Sequence, residues 1–445
     1  MNNTPGATRT RGIKLALLTS LAGKGVSTLV QLAALPLAIG ALGQERFGVY
    51  AMLAAFLNWM SIVSVTISPG LTVQLINAHA SHDRQRESSV FGSAFLFAAL
   101  FAAALFAASQ LLFRGVGIQV LFGNAYAAFD TELSRGLAVL SAFIAINIIL
   151  SVAEAAQAGY QSLYIHNLFL AAGNILTIVT ILLLVRARPT IANMIIAVYS
   201  GPLLARAASL LQLLLTRRYL ITGLTRIDLP AMKLMARTGS AFMLTSLASF
   251  CYQSFSVYWV GRRMGPLAAT QMSIFITVLA ALGSVLQMLT QPLWPAIQDA
   301  VVRHDVAWVH RNYLRVTRYL MLYVALAALV LAVAGNQITH VWLKSSIDAS
   351  RASQLLLGLY FLLLAWEQFN YSFLIGLGSF WFTSLAYFSG ALLMLGNSAW
   401  LVVAFGVSGM LAAMCSGPML VTAWLYPWKL RRLFVRLSTD HSLRI

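Results

Sequence analysis

Charge is what this sequence has least of. Of its 445 residues only 9% are Asp, Glu, Lys or Arg, while 60% are hydrophobic and the mean hydropathy is +0.80. Soluble domains carry about 25% charged residues, so the deficit excludes a soluble globular protein and leaves an integral membrane one. Cysteine is almost missing. Cys251 and Cys415 are the only two, both inside apolar spans, which excludes a disulfide framework or a cysteine metal site. Long polar segments are lacking too. The longest outside connections, 115–134 and 336–352, are too short for a catalytic domain of their own. No HExxH and no CxxC occurs. His79, His82, His304, His310, His340 and His441 fall in loops, ends or tail, and His166 at a span boundary, without ligand spacing. Gly23-Lys24-Gly25-Val26-Ser27-Thr28 has the lysine and hydroxyls of a phosphate loop but not its upstream glycine or preceding strand. No enzyme activity, metal or cofactor is expected.

Acids are the scarcer sign: 12 against 30 bases, a net charge of +18. In a soluble protein that would suggest nucleic acid. Here the cations fall between apolar spans, where orientation of a membrane protein explains them, so no nucleic-acid partner is expected.

What is present is a series of apolar runs. The chain length accommodates about twelve spans of roughly 20 residues. They are placed near 13–42, 49–77, 90–113, 135–157, 167–185, 191–215, 239–260, 268–294, 317–335, 353–376, 381–403 and 409–427. The basic stretch Thr8–Lys14 before the first run resembles a signal peptide. That run is too long and is interrupted by Lys24, so an uncleaved first span is expected. With the N-terminus inside, inside cations outnumber outside ones by about two to one, which puts both termini in the cytoplasm of a multi-pass inner-membrane protein.

The chain also halves. Gly43-Gln44 opens the second span and His82-Asp83 follows it; Gly265-Pro266 opens the eighth and His304-Asp305 follows that, at equal spacing. This predicts an all-α fold of two six-helix lobes around a central cavity. The divisions are an N-terminal lobe at 1–215, a cytoplasmic linker at 216–238, a C-terminal lobe at 239–428 and a basic tail at 429–445.

The first span carries Lys24 near its middle, and Ser27, Thr28 and Gln31 share its face. A charge at that depth costs roughly 3 kcal/mol or more and belongs in a bundle interior or a wet cavity. Other spans carry polar stripes: Asn58, Ser61, Ser68 and Thr72; Asn147, Ser151, Glu154 and Gln157; Ser246, Ser249, Gln253 and Ser256; Ser273, Thr277, Ser284, Gln287 and Gln291. Each stripe reads as interhelical glue or as cavity lining; together with the buried ions they favour a hydrated cavity. The candidate substrate-binding residues are Lys24, Ser27, Thr28, Gln31, Arg206 and Gln253, and the candidate coupling acids are Glu154 and Glu367, for H+ or Na+. Structural ion pairs, Lys24 with Glu154 or Arg206 with Glu367, are the competing explanation.

Three stretches then carry a family resemblance. They are Leu42-Gly43-Gln44-Glu45-Arg46-Phe47-Gly48-Val49-Tyr50; Pro292-Leu293-Trp294-Pro295-Ala296 with His304-Asp305-Val306-Ala307-Trp308; and Phe405-Gly406-Val407-Ser408-Gly409, with Trp342-Leu343 earlier. The chain resembles the O-antigen and exopolysaccharide flippases of the multidrug/oligosaccharidyl-lipid/polysaccharide superfamily. The resemblance implies a flippase that moves a polyprenyl-pyrophosphate-linked oligosaccharide from the cytoplasmic to the periplasmic leaflet by alternating access. Its partners would be that lipid, the surrounding membrane lipids and other polysaccharide-assembly proteins. His304-Asp305 stands where the family has Gly-Asp. Physically, Gly43 and Gly48 suit a tight reversal kept wet by Glu45-Arg46, and Pro292 and Pro295 should break the eighth helix. A cation-coupled multidrug exporter of the same superfamily is the nearest alternative reading, and a membrane polysaccharide polymerase or ligase a more distant one.

Overall fold

The computed structural model describes residues 5–185, 187–225, 228–290, 305–343 and 349–439, together with Leu293, Ile297 and Ala300; up to position 24, only Gly23 is described beyond its backbone. Gln291, Pro292, Trp294, Pro295, Ala296 and His304 of the expected motifs lie outside the described residues, as does the side chain of Lys24.

The described chain is helical throughout, with no strand. The helices are α1 (Pro5–Leu42), α2 (Gln44–Leu57), α3 (Ile62–Ala80), α4 (Arg84–Val116), α5 (Ile118–Phe122), α6 (Asp130–Gly159), α7 (Leu163–Thr180) and α8 (Ile191–Thr216). After these come α9 (Leu229–Phe250), α10 (Ser256–Met264), α11 (Pro266–Thr290), α12 (Val306–Leu343), α13 (Arg351–Gly376), α14 (Phe380–Gly417) and α15 (Ala423–Thr439). In lipid every backbone polar group must be satisfied within its own segment, which is why apolar runs of this length fold as helices. Nine helical stretches among the described residues are long and apolar enough to cross a membrane. One of them, Phe380–Val435, joins two crossings at Gly406, whose φ of 60° and ψ of −133° reverse the chain at the expected last turn. With α2–α3 and α9–α10 as further crossings, the path fits about twelve.

The expected second span, 49–77, is not one α-helix. A 3-10 turn at Asn58–Ser61 separates α2 from α3. Asn and Ser compete with the backbone for its own hydrogen bonds and so tighten a helix locally. Three π-helical turns interrupt later helices, Ile181–Val185 after α7, Cys251–Phe255 between α9 and α10 and Pro418–Thr422 after α14.

Packing divides the chain into two compact units: Met1–Ser246 with Gly265–Thr270, and Leu247–Met264 with Gln271–Ile445. In the first, α6 packs on α3, α4 and α8, and α7 on α1 and α8. The α7–α8 seam depends on two glycines. A Cβ on Gly173 would meet the Gly201 carbonyl oxygen at 2.5 Å, and one on Gly201 would meet that of Gly173 at 2.2 Å. Small residues that let backbones touch are the usual means of joining helices in lipid.

The first motif has a different use from the one its glycines suggested. Gly43 does take the positive φ, 79°, that starts α2. Gly48 makes no turn: a Cβ there would sit 1.9 Å from the Pro266 carbonyl oxygen, so its absence admits the first turn of α11. Thr270 Oγ1 donates to the Gln44 carbonyl, 2.6 Å, at the same place. Arg46, expected to be hydrated, is 44% exposed and pairs with Glu132 at 3.3 Å.

The stretch between α8 and α9, with the first turn of α9, is fastened to α3 and α4. Gly223 lies where a Cβ would be 1.8 Å from the Ser88 carbonyl oxygen, Ser88 Oγ donates to the Tyr219 carbonyl at 2.9 Å, and Gln74 Nε2 donates to the Ala231 carbonyl at 2.9 Å. Beneath it the buried Glu87 carboxylate accepts hydrogen bonds from Tyr160 Oη, 2.9 Å, and from Tyr219 Oη, with His79 Nδ1 3.1 Å away. Arg217 stacks over the Tyr160 ring at 3.7 Å. One carboxylate thereby joins the ends of α3, α4 and α6 to the segment that follows α8.

Candidate functional site

Two helices of the first unit present polar residues to each other. On α6, Asn147, Glu154 and Gln157 are seven and three apart; on α8, Arg206, Ser209 and Gln212 are three and three apart. Both spacings keep side chains on one helix face. The result is a ladder. Arg206 Nη1 donates to Asn147 Oδ1, and Gln157 Nε2 donates to Gln212 Oε1 at 2.9 Å. Ser162, in the turn to α7, donates to Gln157 Oε1 at 2.6 Å. Ser151 closes on its own helix, donating to the Ile148 carbonyl at 2.7 Å.

Between the rungs lies a cluster of ionisable groups. Glu154 Oε2 is 3.5 Å from His166 Nε2 and 3.7 Å from Arg206 Nη2. His166, the fourth residue of α7, is only 1% exposed, and its Nδ1 is 3.1 Å from Ser209 Oγ. His166 Nε2 and Arg206 Nε have no hydrogen-bond partner among the described residues. The Glu154 side chain is 45% exposed. The cluster therefore consists of a fixed cation, a carboxylate with access to its surroundings, and a buried imidazole turned toward that carboxylate. Glu and His both exchange protons, and ionisable residues at membrane depth mark ion and proton routes.

The other sequence-selected residues fall elsewhere. Ser27 accepts from Asn174 Nδ2 at 2.6 Å and donates to the Gly23 carbonyl at 2.8 Å, which joins α1 to α7. Thr28 is half-buried and Gln31 is exposed. Gln253 belongs to the second unit, exposed on the π-helical turn. Glu367 also belongs to that unit and is buried. Thr422 hydrogen-bonds it, and Tyr252, Tyr360, Tyr387 and Tyr426 lie within electrostatic reach. Its Oε1 and the Tyr252 hydroxyl lack partners among the described residues. The acid facing Arg206 is Glu154, because α6 and α8 are packed neighbours.

His166 was passed over as a boundary histidine. One signal was present: α6 and α7 form a hairpin through the turn at 160–162, and Glu154 and His166 stand equally far from Tyr160 on either side.

No family model and no curated protein matches the chain. Solved structures do. An inward-facing multidrug resistance transporter of the MATE family, in the MOP superfamily, matches with a TM-score of 0.75 at 14% identity, over 93% of this chain and 96% of that one. An outward-facing multidrug resistance MATE transporter of the same superfamily matches at 0.66 and 15% identity, over 99% and 100%. The eukaryotic MATE transporter AtDTX14 matches at 0.69 and 13% identity, over 97% and 99%. At these identities the likeness establishes the fold: this is a multi-pass membrane protein built on the architecture of MATE transporters.

Proposed function

We propose that the protein is an ion-coupled exporter of an amphiphile, working by alternating access, with Glu154, His166 and Arg206 as the site where the coupling ion acts. The observation that carries this reading is the loose contact in that cluster. Glu154 lies within Coulombic reach of two nitrogens but outside hydrogen-bond geometry with either, so an arriving ion has no tight network to dismantle. The MATE fold, solved in inward- and outward-facing forms, supports the transport part of the reading.

Two cargoes fit, each favoured by one observation. A small amphipathic organic compound, exported as by a multidrug transporter, is favoured by the solved neighbours and by the engagement of Arg206. Its guanidinium already faces Glu154 and Asn147, which leaves less of it for an anionic headgroup. A polyprenyl-pyrophosphate-linked oligosaccharide is favoured by the three sequence stretches around Gly43, Pro292 and Gly406. In either case the polar part needs a protein path, since it cannot cross hydrocarbon unaided.

Reconstitution tests both. Purified protein in liposomes with an imposed proton or sodium gradient is given a fluorescent organic cation in one arm and a fluorescent lipid-linked oligosaccharide in the other. Gradient-dependent movement of one cargo, lost in Glu154→Gln, is the expected result. If a gradient drives neither cargo in the intact protein, the reading fails.

A further inference from the structure

The second unit has a surface of a different kind, where α15 lies against the start of α12. Phe434 of α15 packs edge-on against His310 at 5.5 Å and Tyr313 at 5.9 Å. Tyr313 is itself held, donating to Asn370 Oδ1 at 2.9 Å and packing on Phe369 and Phe373. Six cations lie on these two helices. Arg311, Arg315 and Arg318 recur at i, i+4 and i+7 on one exposed face of α12, and α15 adds Lys429, Arg431 and Arg432. The Arg432 guanidinium lies 3.9 Å over the Trp428 ring and the Lys429 ammonium 5.1 Å from Phe382. α12 contains no acid, and none occurs between Glu367 and Asp440. No described ion pair includes any of the six.

The arginine face of α12 does not stop at Arg318. In steps of three or four it continues through Leu322, Leu326, Leu329 and Val333, each more than half exposed. At 1.5 Å per residue, Leu322 to Val333 spans about 17 Å, close to one leaflet's share of a 30 Å hydrocarbon core. Arg311 to Arg318 adds about 10 Å at headgroup level. The face is graded from charge to grease as a phospholipid is. Orientation by positive charge needs cations anywhere in a loop. It does not require them in register with an apolar stripe, or steadied over aromatic rings.

We propose that this surface binds anionic phospholipid. The phosphates rest on Arg311, Arg315 and Arg318 with Lys429, Arg431 and Arg432, and an acyl chain runs along Leu322, Leu326, Leu329 and Val333. Charge complementarity selects the occupant. A zwitterionic lipid leaves the six cations uncompensated, and a soluble acidic partner leaves the apolar half of the face unused.

The test uses delipidated full-length protein in neutral detergent, with lipid binding read by native mass spectrometry and by thermal melting. Phosphatidylglycerol and cardiolipin should stay bound and raise the melting temperature well above the effect of phosphatidylcholine, and added salt should erase the difference. Arg311→Gln, Arg315→Gln and Arg318→Gln together should weaken the anionic lipids about 100-fold, and phosphatidylcholine hardly at all. Leu326→Gln should weaken them with every cation still in place. Should the triple variant not reach the membrane, the wild-type comparison of lipids and its salt dependence still decide. Equal stabilisation by phosphatidylcholine, or by inorganic pyrophosphate without a lipid tail, overturns the proposal.

Discussion

His166 Nε2 stands 3.5 Å from Glu154 Oε2, an imidazole and a carboxylate brought together by the turn between α6 and α7. Arg206 approaches the same oxygen from α8 at 3.7 Å. This makes the function of Arg206 a question about three residues. Removing the arginine leaves Glu154 facing only a histidine, and removing the acid leaves Arg206 with Asn147. Since Glu154 is 45% exposed, the pair is worth no more than about 1 kcal/mol. Arg206→Gln should lower thermal stability by about that amount, and Glu154→Gln added to it should recover most of the loss. A double variant less stable than the sum of the singles would show that the two side chains do not compensate each other.

The two acids should separate by function. On the proposed reading, Glu154→Gln and His166→Gln should both insert normally and both lose the gradient-driven part of transport, because each would remove one partner of the coupling site. Glu367 has a different environment, buried among tyrosines with no described cation beside it. If it is a structural group, Glu367→Gln keeps gradient-driven flux in vesicles. Normal flux in both Glu154→Gln and His166→Gln, with Glu367→Gln inactive, would move the coupling role to the second unit.

Much of the fold was legible because lipid allows few options. Apolar runs gave the helices, and Gly43, Gly265 and Gly406 marked chain reversals that the structure realises with positive φ. The site was legible only along single helices. Asn147, Ser151, Glu154 and Gln157 were correctly grouped as one face, but a one-dimensional pattern does not name the facing helix. Arg206 meets Asn147 across 59 positions and Asn174 meets Ser27 across 147. The break at Asn58–Ser61 was hidden for a related reason: hydropathy records burial, not whether a turn closes at three residues or four.

The glycine seam gives a test with an internal control. Ala at Gly173 or Gly201 places a methyl against the partner helix's carbonyl, and overpacking of that kind costs about 1–3 kcal/mol. Gly40 and Gly283 have nothing within 4 Å of a built Cβ. Gly40→Ala and Gly283→Ala should be neutral or slightly stabilising, since alanine is the better helix former by about 1 kcal/mol. Melting curves of the four variants in detergent would expose the idea as wrong if all four shifted alike.

Glu87 offers a stability test of another kind. It is 2% exposed and faces hydroxyls from two segments and one histidine nitrogen. Glu87→Ala strands these groups in a partly buried site, and each buried group left unmatched costs about 1–3 kcal/mol. The net loss should be about 2–3 kcal/mol, because His79 is partly exposed and can turn to water. Glu87→Gln keeps one acceptor and should lose less. The loss should also be local. Tyr219 belongs to the segment fastened over α4, so in Glu87→Ala the amides of 218–225 should exchange with deuterium faster, while those of α7 and α8 around Gly173 and Gly201 stay protected. Uniform exchange across the first unit would mean that Glu87 supports the whole unit and not the fastening of this one segment.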